Sequence, residues 1–165
     1  QKNLSKVSII RPSIILGGGD KFSKSLLTLF KMTLIIPLVG NGKSKFQPVY
    51  IEDVANGIDK IINYSTNGSQ IFEFTSNTIF SYKDFYSFII SLLNYKRLVI
   101  STPLILVKIG VFILEKISLS PVSSEQLKLF EDDNIASNKY KKLEDLGIKT
   151  QDIKQIVKKI VIKNS

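Results

Sequence analysis

The 165-residue sequence contains no cysteine and no histidine. Without cysteine, disulfides, thiolate metal centres and cysteine nucleophiles are excluded. Without histidine, the commonest general base and the commonest metal ligand are missing. Proton chemistry would fall to carboxylates, lysine or tyrosine. Arginine is scarce, with only Arg11 and Arg97. No basic stretch is interleaved with aromatics and no DNA- or RNA-binding motif matches, so a nucleic-acid partner is not expected. Long apolar runs are lacking too. The longest, from Pro103 to Ile117, is interrupted by Lys108 and by Glu115-Lys116. A spanning helix needs roughly 20 mostly uncharged residues, so this run reads as a buried or interfacial helix. No signal-peptide pattern opens the sequence. It starts at Gln1 rather than at methionine, and a fragment of a longer protein is expected.

What is present indicates a folded domain. The hydrophobic fraction is 44%, which excludes a disordered or fibrous chain. The net charge of +9 is unevenly placed: residues 1–46 carry +7, residues 47–138 carry −3 and residues 139–165 carry +5. The bland reading is a solvated lysine-rich surface, and the bias to Lys, Ile, Asn and Ser suits an AT-rich genome. The alternative is attraction to an anionic surface or partner.

Along the chain, Val7 to Ile10 reads as a parallel strand covered on both faces, stopped by Arg11-Pro12. Gly17-Gly18-Gly19 must be loop. Phe22 to Met32 has helical spacing, with Phe22, Leu26, Leu29 and Phe30 apolar. Leu34 to Val39 and Phe46 to Ile51 are extended, and Gly40-Asn41-Gly42 between them reads as a hairpin turn. Asp53 is positioned to cap a helix with Val54, Ile58, Ile61 and Ile62 on one face, ended by Asn67-Gly68. Ile71 to Thr75 alternates like a strand. Ser81-x-x-Asp84 is a capping box that opens a helix to about Asn94. Arg97 to Ile100 is a short strand, and Pro103 opens the apolar helix. From Ser123 onward the pattern is helical, with a capping box at Ser123-x-x-Gln126, a cap at Ser137 and a stop at Gly147. Ile153, Ile156, Val157, Ile160 and Val161 form one stripe, with lysines mostly opposite.

Two phosphate-binding motifs fail on inspection. Gly42-Lys43-Ser44 lacks the earlier glycine of a P-loop, because position 37 is proline. The triple glycine has no third glycine at the offset of a dinucleotide fingerprint. Glu52 and Asp53 sit at a helix start, where negative charge favours the macrodipole. Glu131-Asp132-Asp133 lies near a helix end and reads as a cap for the next segment or a partner contact. No metal site is expected from this spacing, and no catalytic residue is assigned.

Several blocks then coincide in order. Arg11-Pro12-Ser13-Ile14-Ile15-Leu16-Gly17 resembles the Arg-Pro-x-x-x-x-Gly strand end of extended short-chain dehydrogenase/reductases, the NAD-dependent epimerase/dehydratase superfamily. Val49 to Ala55 resembles that family's turn into an aliphatic-Val-x-x-Asp-Val-Ala helix. Phe46 to Ala55, Pro121 to Leu127, Asp133 to Ser137 and Leu146-Gly147-Ile148 are most similar to an atypical branch, the NAD(P)-binding accessory subunit of respiratory complex I and its bacterial relatives. The family's glycine fingerprint and Tyr-x-x-x-Lys pair are absent from this sequence, and Gly18 replaces the loop's more usual proline.

The resemblance implies an α/β fold: the C-terminal half of a Rossmann-type parallel sheet with a small, mainly helical substrate lobe. Residues 1–102 would be the end of the NAD(P)-binding domain with an inserted substrate-lobe hairpin, and residues 103–165 the helical C-terminal lobe. It implies NAD or NADP, held mainly by a nucleotide-binding half outside this sequence. Pro12, Ser13, Ile14 and Gly17 would lie along the cofactor, and Phe22, Gln47 and Tyr50 would face a substrate. Arg11 is expected to anchor its strand through buried hydrogen bonds. The implied partners are complex I subunits and the membrane surface, with a cytoplasmic location peripheral on the inner membrane and a structural role for the nucleotide. The alternative is an NAD(P)-dependent reductase, epimerase or dehydratase acting on a sugar nucleotide or isoprenoid-like substrate. By itself the fragment is expected to catalyse nothing.

Overall fold

The apolar run after Val7 does form a strand, and the elements follow the sequence pattern closely through the first hundred residues. The computed structural model describes residues 7–63, 68–116, 120 and 123–164. In chain order they form β1 (Ser8–Pro12), β2 (Ile15–Leu16), α1 (Lys21–Met32), β3 (Ile35–Val39), β4 (Lys45–Phe46), β5 (Val49–Tyr50) and α2 (Ile51–Ile62). Then come β6 (Gln70–Phe74), β7 (Phe80–Ser81), α3 (Tyr82–Leu93), β8 (Leu98–Thr102), α4 (Leu104–Lys116), α5 (Ser124–Leu127) and α6 (Ile153–Asn164).

The pairing is mainly parallel, as an α/β fold requires. β1 lies beside β6 with Ile10 opposite Phe72 and Pro12 opposite Phe74. β2 pairs with β5, and β3 with β8 from Ile35↔Leu98 to Val39↔Thr102. Among the described residues only β4 and β7 run antiparallel, with Phe46 opposite Phe80. Parallel neighbours need long crossovers, and helices fill them here. Two expectations are corrected. Gly40-Asn41-Gly42 turns the chain, with φ of 58° and 66° at its glycines and a 3.1 Å bond from Gly42 N–H to Val39 O. It makes no hairpin, because β3 finds a five-residue parallel partner in β8. A turn signal is local and does not say which strand lies alongside. Nor is β1 covered on both faces: four of its five residues are exposed, with β6 its only strand neighbour among the described residues.

Two cores hold the chain. The smaller packs α2 on the β1–β6 pair through Val49, Val54, Ile61, Phe72, Phe74 and Leu143. Its inward row is Asp53, Gly57 and Ile61, spaced four apart, while Ile58 is 40% exposed and Ile62 76% exposed. The reason is close approach. A Cβ at Gly57 would lie 2.5 Å from the Phe74 ring and 2.6 Å from Leu143, so only glycine lets this side of the helix reach the sheet. The larger core joins α1, α3 and α6 and takes residues from both sides of position 102. Its centre is Phe46, fully buried, with ring centroids 4.6 Å from Tyr82, 5.0 Å from Phe85 and 6.0 Å from both Phe22 and Phe80.

Helix ends follow their capping residues. The Ser81 hydroxyl accepts from Asp84 N–H at 3.1 Å and donates to the Asp84 carboxylate at 2.6 Å. Ser123 and Gln126 form both bonds of a capping box. All five residues of the α6 stripe are buried. Three local expectations fail. Asp53 caps nothing on its own helix; Tyr50 is the N-cap, and the 2%-exposed Asp53 carboxylate accepts from Gln151 N–H at 2.9 Å, ahead of α6. The chain after Ser123 is helical to Phe130 and, apart from the short 3-10 segment Glu144–Leu146, not again until α6. Beyond Phe130, Asn134 bridges to Phe46 and Lys141 to Phe72, so this stretch edges the strands instead of coiling. Ser137 therefore caps no helix; its N–H and hydroxyl both donate to the Glu73 carboxylate, at 2.8 and 2.9 Å. Gly147 does close a turn, at φ 74° after the 3-10 segment Glu144–Leu146. The residues Asn67, Pro121 and Val122 of the expected boundaries lie outside the described residues. Among the described residues no helix is long and apolar enough to cross a membrane.

Candidate functional site

In open α/β sheets, ligands sit beyond the carboxyl ends of the strands. Those ends are Pro12 of β1 and Phe74 of β6, and the loops beyond them are tied together. Ser13 N–H donates to Phe74 O at 3.1 Å, and its hydroxyl to Asn134 O at 3.2 Å. Gln47 is the hub. Its side-chain NH₂ donates to Ser76 O at 2.5 Å, its side-chain carbonyl accepts from Ala136 N–H at 3.0 Å, and its own N–H donates to Asn134 O at 3.0 Å. Gln47 is buried, as are Ser13, Thr75 and Ser76. One amide thus satisfies the polar backbone of two other segments, which burial would otherwise penalise.

The glycine loop is built just as tightly at its start. Ile14 O accepts from Val49 N–H at 2.9 Å, and the Ile14 side chain enters the larger core. Gly17 N–H donates to Asp20 Oδ2 at 3.1 Å, while Asp20 Oδ1 accepts from Ser23 N–H at 2.7 Å. One carboxylate both closes the loop and caps α1. A Cβ at Gly17 would lie 2.6 Å from Ile51 Cγ2, whereas at Gly18 and Gly19 it would meet nothing within 4 Å. The loop is closed at its first glycine and open at the next two.

A cleft of about 400 Å³ opens beside those two glycines, lined further by Tyr50, Ile156, Lys159, Ile160, Lys163 and Asn164. Tyr50 ends β5 at the mouth of α2. The neighbouring Glu52 carboxylate, acting as hydrogen-bond acceptor, holds its phenol above the ordinary tyrosine range, with smaller contributions from burial and the Glu52 and Asp53 charges. It stays protonated at neutral pH. The cleft therefore presents open glycine backbone, a neutral phenol and two ammonium groups, a set suited to an anionic ligand rather than to proton abstraction.

The expected site residues separate into three groups. Ser13, Ile14, Gly17 and Gln47 converge, buried, in the loop framework. Pro12 sits exposed at the end of β1, and Tyr50 lines the open cleft. Phe22 belongs elsewhere: it is buried against Phe46 and Phe85 in the aromatic cluster. Arg11 is exposed rather than buried in its strand, its guanidinium 5.4 Å from the centre of the Tyr140 ring, and among the described residues it makes no buried hydrogen bond. Sequence reading missed Asp20, although an aspartate just before a helical run is a cap signal. It also placed the α6 lysines, Lys159 and Lys163 among them, mostly opposite the apolar stripe, where spacing alone cannot separate a cleft wall from open surface. Among the described residues no group of three potential metal ligands converges.

The pairing, the glycine loop and the ends of β1 and β6 define a Rossmann-type fold. Solved structures agree. The human epimerase family protein SDR39U1 with NADPH matches at a TM-score of 0.66 and 15% identity, over 94% of this chain and 48% of that one. A dTDP-glucose 4,6-dehydratase from Bacillus anthracis with NAD matches at 0.63 and 15%, over 94% and 43%. In sequence, the chain is similar to NADH dehydrogenase [ubiquinone] 1 alpha subcomplex subunit 9, mitochondrial. The Dictyostelium discoideum protein is 27% identical over 151 residues, 90% of this chain and 42% of the relative. The Arabidopsis thaliana protein of the same name is 38% identical over 55 residues, 33% of this chain and 14% of the relative. The chain thus spans less than half the length of the curated relatives it matches. No protein-family profile matches it. The resemblance read from the motif blocks is borne out as a likeness: the solved structures share a Rossmann-type fold, and the sequence relatives are complex I subunits.

Proposed function

We propose that this chain forms the strand-end loops and lobe of an NAD(P)-binding accessory-subunit-like protein of respiratory complex I, with the nucleotide in a structural role. The observation that carries this is the similarity to a complex I subunit along 90% of the chain. The chemistry of the loops supports it. Ser13 and Gln47 commit their polar atoms to backbone partners, and Tyr50 is held neutral. These are positioning groups. The exposed Pro12 and the open Gly18-Gly19 backbone leave room along the loop for NAD or NADP. Such a cofactor supplies hydride chemistry in an enzyme; here it would stabilise the native state by mass action. The partners are proposed to be complex I subunits, and the location peripheral on the membrane that carries them.

The test is to purify the natural gene product and release its nucleotide by denaturation. The proposal predicts bound NAD(P) and no turnover of it with sugar nucleotides. Turnover would overturn the structural role in favour of an NAD(P)-dependent reductase, epimerase or dehydratase. One observation favours that second reading: Lys159 and Lys163 beside the open glycines would suit the diphosphate of a sugar nucleotide.

A further inference from the structure

The cleft beside Gly18 and Gly19 holds donors that the fold does not use. Residues 17–20 form a turn closed by Asp20 N–H to Gly17 O at 3.3 Å, with φ 88° at Gly19. That is the form of a type II turn, in which glycine suits the third position and proline the second. This chain has Gly18 at the second position, where the family it resembles more usually has proline. Proline carries no N–H, so glycine adds a donor. Among the described residues neither Gly18 N–H nor Gly19 N–H has a hydrogen-bond partner, and a Cβ at either would meet nothing within 4 Å. Two backbone donors are left for water or a ligand.

In the same cleft α6 presents Lys159 and Lys163, one turn apart. Both are exposed, and among the described residues neither enters an ion pair. The C-terminal carbonyls of α6 would repel an anion, but the Lys31 ammonium of α1 donates to Asn164 O. The nearby carboxylates are committed as well. Asp20 accepts from Gly17 N–H and Ser23 N–H, and Glu52 accepts from the Tyr50 phenol. The rest of the wall is apolar: the buried Ile156 and Ile160, and the half-buried Tyr50 ring.

Charge and size select the ligand. A phosphate monoester carries about −1.5 to −2 charge at neutral pH and three acceptor oxygens, which two ammonium groups and two N–H donors match. A carboxylate offers two oxygens and a single charge. The apolar wall suits a body that is itself apolar or a flat ring. A volume of about 400 Å³ is near the lower end for ligand pockets, room for one phosphate and a ring but not for a dinucleotide.

We infer that this cleft binds a phosphate monoester with a small apolar or aromatic body, its phosphate held between the Gly18 and Gly19 N–H groups and the Lys159 and Lys163 ammonium groups. The ligand is a second molecule beside the proposed NAD(P). The inference rests on the cleft alone and stands whichever role the nucleotide has.

The test is isothermal titration calorimetry of the full natural protein with benzyl phosphate, with benzyl alcohol and inorganic phosphate for comparison. Benzyl phosphate is expected to bind, inorganic phosphate more weakly and benzyl alcohol not at all. Lys159→Gln combined with Lys163→Gln should weaken binding at least about tenfold. Lys154→Gln combined with Lys158→Gln, on the same helix but outside the cleft, should leave it within about twofold. Gly18→Pro keeps the turn and removes one donor, and should weaken binding roughly three- to tenfold. Should that variant misfold, the exposed lysine pairs carry the test. Excess NAD should leave benzyl phosphate bound. The inference is overturned by no binding, by binding that both lysine pairs reduce alike, or by inorganic phosphate binding as tightly. Displacement by NAD also overturns it, since the cleft would then belong to the dinucleotide. Turnover of a sugar nucleotide would overturn the functional proposal and leave this inference standing; absence of benzyl phosphate binding would do the opposite.

Discussion

Gln47 joins three segments through one side chain, and its removal is the sharpest residue-scale test of the loop framework. Gln47→Ala takes the partner from the buried Ser76 carbonyl and from the part-buried Ala136 N–H, at a cost of roughly 1–3 kcal/mol, measurable as a lower midpoint in urea unfolding. Gly57 is constrained by space. Gly57→Ala puts a methyl group against Phe74 and Leu143, and overpacking of this kind costs about 1–3 kcal/mol. A third prediction concerns pH. Burial pushes the phenols of Tyr82 and Tyr86 far above the ordinary value of 10.0, and the Glu52 carboxylate raises Tyr50. Below about pH 10 these phenols are protonated in both states and add no pH dependence. Above it the unfolded chain releases protons that the native state keeps, so stability falls as pH rises. Urea unfolding across that range should show the fall, and Tyr86→Phe should make it shallower.

At the scale of elements, α4 and α1 give opposite predictions. Gly110 lies inside α4, and a Cβ there meets nothing within 4 Å. Gly110→Ala should therefore stabilise the protein by up to about 1 kcal/mol through helix propensity, read as a raised midpoint. Asp20→Ala should destabilise it by about 1 kcal/mol or slightly more, because the same carboxylate caps α1 and closes the loop at Gly17. Legibility also varied by element. The α6 stripe was readable because all five apolar residues follow one helical period and all five are buried. The α2 face was legible in part: Val54 and Ile61 are buried as expected, but hydrophobicity also pointed to the exposed Ile58 and Ile62, whereas Gly57 decides which side can approach the sheet. α4 offered no face to read: apolar residues surround it, and its exposure follows from what packs beside it.

At the scale of the molecule, the motif blocks made the Rossmann-type fold legible, but its parallel partners lie far apart in sequence. β3 meets β8, and β1 meets β6, across roughly 60 residues each, so local turn signals at Gly40-Asn41-Gly42 suggested a hairpin that long-range pairing overrode. The site was legible in part for the same reason. Ser13 and Gln47 converge because the 134–136 segment and the end of β6 come to meet them, and Lys159 and Lys163 reach the cleft through the packing of α6 on α3, α1 and β5. The central claim, a nucleotide-loaded subunit that positions rather than catalyses, is tested most directly by native electrophoresis of mildly solubilised membranes from cells carrying a tagged copy of the natural protein. The account predicts that the tag migrates with NADH:ubiquinone oxidoreductase activity. Migration as a free species that reduces or epimerises a sugar nucleotide would contradict it.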